Sequence, residues 1–434
     1  QTIRQSRQIE EITGKKVMPT LVVYTANGSG GGLAPEDIKT NYAIVNGVNI
    51  DNNTNLLDSN LVKHFRNTIR MAAEMQANKD DEHPQPATIV LDADLFGEWQ
   101  KNKLNGTFQN EYCGGTTDTE CETYQEITIK EAMKVAIDAE LSTMIKKYSA
   151  DATNVTKTVD VNVVSALYDI DQIKADIDAK IENNIKGWVQ SQNFMIKTFA
   201  PDVPFGWVIN LWNPGSAHWV HKEYTGQKDV WLNASKGVAL FVDWIGAYKG
   251  DYRPDFLVFD KYERDGFSPA GKPSYAFASR QWDNYLTYVK QITDFINTPA
   301  MIWQIPGGHL ASVNEDIGSY NLSTHSATGG TYFMGDENIG TDINKIKTDV
   351  LNISLFGDHY QEDGKPKVEN VKGLLENMSA GYDWSKNNLR KAAYHNVFSI
   401  LWGGGETTGA VKIATNGEGD NNWLRDKILA YKEN

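Results

Sequence analysis

The chain alternates short apolar runs with longer amphipathic stretches. Seven runs are rich in β-branched or aromatic residues and end in polar residues or glycine. They cover residues 19–25, 88–92, 206–212, 255–260, 300–306, 350–356 and 397–402. Nearly continuous apolar runs are typical of parallel strands that are covered on both faces. Amphipathic stretches at 5–13, 60–75, 235–248 and 281–296 predict helices beside these strands.

Alternation of strand and helix predicts an α/β fold with a parallel sheet. We expect a single (β/α)8 (TIM-like) barrel over residues 1–434, with long loops at the strand ends. Seven strands are one short of this barrel. The missing strand could precede Gln1, or residues 42–45 could form a short extra strand. An open, doubly wound sheet is the alternative architecture.

Two segments depart from the alternation. Residues 103–200 carry two apolar series with four-residue spacing, which predict an inserted helical hairpin. The series are Ile129, Met133, Ile137, Leu141 and Ile145, and then Ile173, Ile177, Ile181, Ile185 and Val189. Residues 307–347 are rich in Gly, Ser, Thr and Asn, and this composition predicts a long loop.

Composition and charge narrow the range of functions. The chain has 434 residues, with 42 Lys and Arg against 56 Asp and Glu, so its net charge is −14. An acidic surface argues against chain-wide binding to nucleic acid or to an anionic membrane. The 12 Trp and 19 Tyr provide flat faces with a polar edge, which suit stacking on sugars as well as core packing.

Targeting signals are weak. No apolar run reaches the roughly 18 residues that cross a bilayer, and the chain begins at Gln1 rather than Met. We interpret it as a processed chain and expect a secreted or periplasmic location. Cys113 and Cys121 flank a polar loop, which favours a local disulfide in an oxidising compartment. Two free thiols of a cytosolic protein are the alternative.

Polar and aromatic residues close nearly every predicted strand. Catalytic residues of a parallel barrel lie at the carboxyl ends of its strands. The set combines carboxylates, amides and aromatic rings with few fixed cations. It matches glycoside hydrolysis, which needs a protonated carboxyl as acid and a second carboxylate as nucleophile or base. The candidate sugar-binding residues are Tyr24, Asn27, Asn210, Trp212, Tyr262, Glu263, Trp303, Gln304, His309, Trp402 and Glu406.

The segment at residues 88–102 carries the strongest candidate acids. Asp92 and Asp94 are two residues apart, so an extended strand end would place both side chains on one side. Close carboxyls shift one another's pKa and can keep one protonated. Alternatively, one of them caps the following helix and the other is solvated.

Residues 90–96 resemble the hydrophobic-Glu-Pro-Asp-Ser-Leu motif of the family 6 cellulases. In that family the Asp is the general acid, and the resemblance implies this role for Asp94. The sequence departs from the motif, because Asp92 replaces Glu, Ala93 replaces Pro and Leu95 replaces Ser. More broadly, the strand ends resemble those of secreted (β/α)8 glycoside hydrolases.

Two further acids could complete the reaction. Asp260 ends the strand at residues 255–260, and Asp358 follows the run at residues 350–356. We expect Asp260 or Asp358 to act as base or nucleophile, with Asp92 tuning Asp94. Asp358 precedes His359, but one Asp–His pair is weak evidence for a metal site, because a metal needs at least a third ligand.

We therefore expect a glycoside hydrolase that cleaves a neutral, β-linked polysaccharide such as a cellulose-like or chitin-like chain. We expect no cofactor, no metal and no nucleic-acid partner, and we expect a monomer. Two other hypotheses stay open. The barrel could bind carbohydrate without catalysis, or it could be a metal-assisted esterase or deacetylase.

Overall fold

The computed structural model describes residues 1–24, 44–45, 48–49, 60–103, 128–151, 168–261, 267, 276–318, 321–355, 368–403 and 421–433. The strands are β1 Thr20–Val23, β2 Ile44–Val45, β3 Val48–Asn49, β4 Thr88–Leu91, β5 Phe205–Asn210, β6 Phe256–Asp260, β7 Ala300–Ile305 and β8 Val397–Trp402. The first eight helices are α1 Thr2–Thr13, α2 Asn60–Gln76, α3 Leu95–Glu98, α4 Ile129–Asp151, α5 Ile170–Lys180, α6 Ile185–Phe199, α7 Gln227–Val230 and α8 Lys236–Ile245. The others are α9 Ser279–Ile296, α10 Leu322–His325, α11 Gly329–Met334, α12 Thr348–Leu351, α13 Val371–Met378, α14 Leu389–Tyr394 and α15 Trp423–Glu433.

The protein has an α/β fold with a parallel sheet, as predicted. Among the described residues this sheet has six strands in the order β1-β4-β5-β6-β7-β8, so it is not a full eight-stranded barrel. Pairing is parallel between β1 and β4, β4 and β5, β6 and β7, and β7 and β8. The spatial order of these six strands is therefore the same as their order along the chain. A doubly wound sheet would instead reverse its strand order at a switch point.

Six of the seven predicted strands are confirmed. Residues 350–356 are the exception, because Thr348–Leu351 forms the short helix α12 and only Ser354 makes an isolated antiparallel bridge, to Asn370. A short apolar run does not distinguish a strand from a buried helical turn. The extra strand considered at residues 42–45 does not join the parallel sheet. Ile44–Val45 pairs antiparallel with Val48–Asn49 in a separate two-stranded sheet.

The chain folds into two compact units. The first comprises Gln1–Val208 and Leu240–Asp255, and the second comprises Ile209–Ala239 and Phe256–Asn434. In the first unit α2 packs against α4 and α6. Its predicted apolar face is fully buried at Leu61, Phe65, Ile69 and Ala72. Glu140 on α4 accepts from the Nε atoms of Arg66 and Arg70 on α2, at 2.5 Å each, and so joins the two helices.

The helical insertion contains three helices in its described part. The second apolar series does not form one helix, because α5 ends at Lys180 and α6 begins at Ile185. Asn184 caps α6 by accepting from the backbone N–H of Gly187 at 3.0 Å. The cap starts a new helix although the isoleucine spacing continues through the break.

The segment at residues 307–347 is not the long loop that its composition predicts. Its described residues include α10 and α11, and all six residues of α11 are buried. A Cβ atom at Gly329 would lie 2.5 Å from the carbonyl oxygen of Pro306. One at Gly330 would lie 2.8 Å from that of Gly308. The glycines therefore serve close packing of α11 on the chain that follows β7.

Candidate active site at the strand ends

A buried carboxylate closes strand β6 in the second unit. Asp260 is 6% exposed, and its Oδ2 accepts a hydrogen bond from Nδ2 of Asn210 at 3.2 Å. Asn210 ends β5 and is itself held by a tight turn. The Oδ1 of Asn213 accepts from the backbone N–H of Asn210 at 3.0 Å. The structure thus brings together two residues that the sequence nominated separately, an acid and an amide.

The two faces of β6 have different environments. Phe259 lies on the helix-covered face, where its ring is 5.8 Å from that of Tyr288 on α9. Burial raises the pKa of Tyr288 well above its ordinary value, so its phenol stays neutral. Side chains alternate along a strand, so Asp260 lies on the opposite face from Phe259.

Lys261 follows Asp260 and is fully buried on the helix side. Its Nζ lies 3.9 Å from the ring centroid of Phe277 and 5.3 Å from that of Trp282. The Nζ atom is therefore held against two aromatic rings, in the geometry of a cation–π contact. Lys261 is not among the residues predicted from the sequence, because a lysine beside an acid usually indicates a surface ion pair.

Strand β7 places Trp303 and Gln304 beside the end of β6. Trp303 is the register partner of Asp260 and is only 6% exposed. Its indole is therefore largely enclosed. Gln304 is the half-buried residue of a strand whose five other residues are buried. It also has a left-handed backbone, with φ +53°.

The first unit carries Asp92 and Asp94 after β4. Asp92 is 1% exposed and has φ +49°, while Asp94 is half-buried. Asp94 occupies the N-cap position of α3 but makes no side-chain capping hydrogen bond. The alternative in which the Asp94 carboxylate caps this helix is therefore wrong. Tyr24, just past β1, is 42% exposed.

His309 lies in a polar cluster behind the end of β7, in the second unit. It is fully buried, and its Nε2 lies 2.7 Å from Oε1 of Glu315. Its ring stacks on Trp423 of α15 with centroids 4.2 Å apart and planes 1° apart. The other oxygen of Glu315 accepts from the backbone N–H of Ser312 at 3.1 Å. Glu315 and Trp423 were missed in the sequence because nothing in the pattern links them to His309.

The remaining candidates are less enclosed or lie outside the described residues. Trp212 and Trp402 are half-buried, and the ring of Trp402 meets Phe333 edge-on at 5.7 Å. The candidates and cysteines outside the described residues are Asn27, Tyr262, Glu263, Asp358, Glu406, Cys113 and Cys121. Their predicted roles, including the disulfide, stay predictions.

The described residues contain no group of three or more His, Cys, Asp or Glu side chains that could hold a metal ion. Within the same part of the chain, every helix is too short or too polar to span a membrane. Comparison with known protein families, with curated proteins and with solved structures finds no match.

Proposed function

We propose that the protein is a glycoside hydrolase acting on a neutral, β-linked polysaccharide. The observation that carries this proposal is the buried Asp260 carboxylate, which accepts from Asn210 at the carboxyl end of a parallel strand. It lies on the strand face opposite Phe259 and the helix layer. Strand ends of this kind are where parallel α/β folds bind substrates.

The chemistry assigns Asp260 the role of base or nucleophile. The Asn210 amide donates to Oδ2 of the carboxylate at 3.2 Å and so fixes its orientation. An ionised, oriented carboxylate is what either role requires. Asp358 is the alternative for this role, as in the sequence analysis.

Asp94 is the proposed general acid. Its carboxyl is half-buried and makes no capping bond to α3. This role rests on the position of Asp94 after β4 and on the resemblance of residues 90–96 to the acid motif of the family 6 cellulases. Asp92 is proposed to shift the pKa of Asp94.

Three aromatic side chains at the strand ends are proposed to form the sugar subsites. Tyr24 is exposed, Trp212 and Trp402 are half-buried, and rings of these residue types stack on sugars. Trp303 and His309 are buried, so we propose that they support the site by packing and do not contact the sugar. A (β/α) barrel architecture and an extracytoplasmic location belong to the same proposal, and the sequential order of the six parallel strands is compatible with such a barrel.

Release of reducing ends from a panel of neutral polysaccharides tests the proposal. The proteins are the wild type, Asp260→Asn, Asp94→Asn and a control, Asp171→Asn, at an exposed position of α5. Positioned acids and bases contribute about 10²- to 10⁴-fold, so we expect losses of that size for the first two variants. The control should match the wild type.

Each outcome bears on a different part of the proposal. An unchanged rate for Asp260→Asn or for Asp94→Asn removes that residue from the mechanism. A wild type that releases nothing from any polysaccharide, yet sediments with an insoluble glycan, contradicts catalysis and supports carbohydrate binding alone. The observation that favours this second function is the exposure of the Tyr24 ring, because exposed aromatic rings can bind sugars without catalysis.

A further inference from the structure

The backbone of Gln304 has a conformation that its residue type does not favour. Six non-glycine residues in the described part of the chain have positive φ. Four are asparagines, namely Asn297, Asn396, Asn421 and Asn422, and the other two are Asp92 and Gln304. Asn and Asp tolerate the left-handed region because their short side chains bond locally, whereas Gln lacks this compensation.

The conformation arises from a bulge in β7. Ile302 pairs with Ile400, and Ile305 pairs with Trp402, so β7 has one more residue than β8 between these pairs. Backbone bonds hold both flanks of Gln304. The oxygen of Trp303 accepts from the N–H of Lys261 at 3.1 Å, and that of Ile305 accepts from Gly403 at 2.7 Å. Strain of this kind persists only where the surroundings fix it, and bulges often redirect a side chain at a functional site.

The position of the bulge relates Gln304 to the proposed catalytic carboxylate. Gln304 directly follows Trp303, which is the register partner of Asp260. It is also the half-buried position in a strand that is otherwise buried. The side chain therefore retains access to solvent at the strand end where Asp260 lies.

We propose that the bulge in β7 presents the carboxamide of Gln304 to a ring hydroxyl of the sugar bound at Asp260, which makes Gln304 a specificity-determining residue. This inference rests on the proposed function. A carboxamide donates and accepts, and so does a hydroxyl, so one side chain can satisfy both capacities of the sugar group. A site built around such a bond discriminates strongly against an analogue that lacks the hydroxyl.

The variant Gln304→Asn tests both parts of the inference. Asn occupies four of the other five non-glycine positions with positive φ in the described part of the chain, so the variant should relieve the backbone. Its amide is one methylene shorter and should not reach the hydroxyl. We expect the thermal midpoint to rise by about 1–3 °C and kcat/KM on the active polysaccharide to fall about tenfold or more.

Asn422→Gln is the matched control. It places Gln at an exposed left-handed position before α15, and so it should lower the midpoint without changing kcat/KM. Gln304→Gly, which also removes the amide and frees the backbone, should lose as much activity as Gln304→Asn.

Four results would overturn the inference. An unchanged kcat/KM in Gln304→Asn or in Gln304→Gly shows that the amide does not contact substrate. A midpoint that does not rise in Gln304→Asn shows that the backbone stores no strain. An equal loss of activity in Asn422→Gln shows that the effect is not specific to β7. A wild type inactive on every glycan overturns the proposed function itself, and the midpoints then report on strain alone.

Discussion

At the scale of single residues, His83 joins α1 to the chain that precedes β4. Its Nε2 lies 2.6 Å from Oε2 of Glu10, and its Nδ1 lies 2.7 Å from Oδ1 of Asp80. The two ring nitrogens of His83 therefore face carboxylates from two separate segments of the chain. Arg7 and Lys16 add positive charge near Glu10, at 3.6 and 3.9 Å.

This cluster predicts a loss of stability in acid. The Val17 amide, which donates to Oε1 of Glu10, and then His83 lower the pKa of Glu10 below its ordinary value of 4.5. A lowered folded-state pKa contributes stability above about pH 4.5, and the contribution is lost as the pH falls through the folded value. The thermal midpoint of Glu10→Gln should therefore lie below that of the wild type near neutral pH, and the two midpoints should converge as the pH falls through the lowered folded-state pKa of Glu10.

The control for this prediction is Glu11→Gln, an exposed neighbour on the same helix. Its midpoint should follow the wild type at every pH. A constant difference between Glu10→Gln and the wild type across the range would contradict an electrostatic role for Glu10.

The sequence correctly predicted which residues lie at strand ends, but it did not predict how deeply their side chains are buried. Asp260 and Asn210 were nominated because they end apolar runs, and the structure joins them by a hydrogen bond. Trp303 and His309 were nominated on the same grounds, yet both are enclosed. The position along a strand is local information. The cover over a strand end depends on segments distant in sequence, such as Trp423 over His309.

At the scale of elements, strands were the most predictable part of the fold. β4, β5 and β6 are buried throughout, and such strands are nearly continuous apolar runs in the sequence. The break between α5 and α6 was not predictable in this way. Ile177 and Ile185 are both buried, so burial preserves the four-residue spacing on either side of the break.

The junction between α5 and α6 predicts contrasting effects at two glycines. Gly187 and Gly373 occupy the same place in their helices, since each donates its N–H to the Oδ1 of an asparagine cap, at 3.0 and 2.9 Å. A Cβ at Gly187 would lie 1.6 Å from the carbonyl oxygen of Glu182. At Gly373 the nearest atom would be 3.5 Å away.

Gly187→Ala should therefore destabilise the protein by about 3 kcal/mol or more, because the α5–α6 turn must shift. Gly373→Ala should stabilise it by about 0.5–1 kcal/mol, because alanine favours the helix. Urea unfolding monitored by circular dichroism measures both. Equal effects of the two substitutions would show that the α5–α6 turn yields without strain.

At the scale of the whole molecule, the division into two units was not visible in the sequence. Each unit contains two separate stretches of chain, and the boundaries fall within β5 and α8 and just before β6. Domain boundaries are usually recognised by polar or Pro- and Gly-rich linkers. The boundaries within β5 and α8 lie inside regular elements, so composition does not mark them.

The net charge of −14 predicts how activity responds to salt. An acidic protein repels a polyanionic substrate over a distance set by ionic strength, and screening weakens this repulsion. Between about 20 and about 300 mM salt, we expect hydrolysis of the preferred neutral polysaccharide to change less than twofold. Any hydrolysis of a carboxymethylated form of the same polymer should be slower at low salt and should rise with salt. Rates on the two polymers that respond identically to salt would show that charge does not select the substrate.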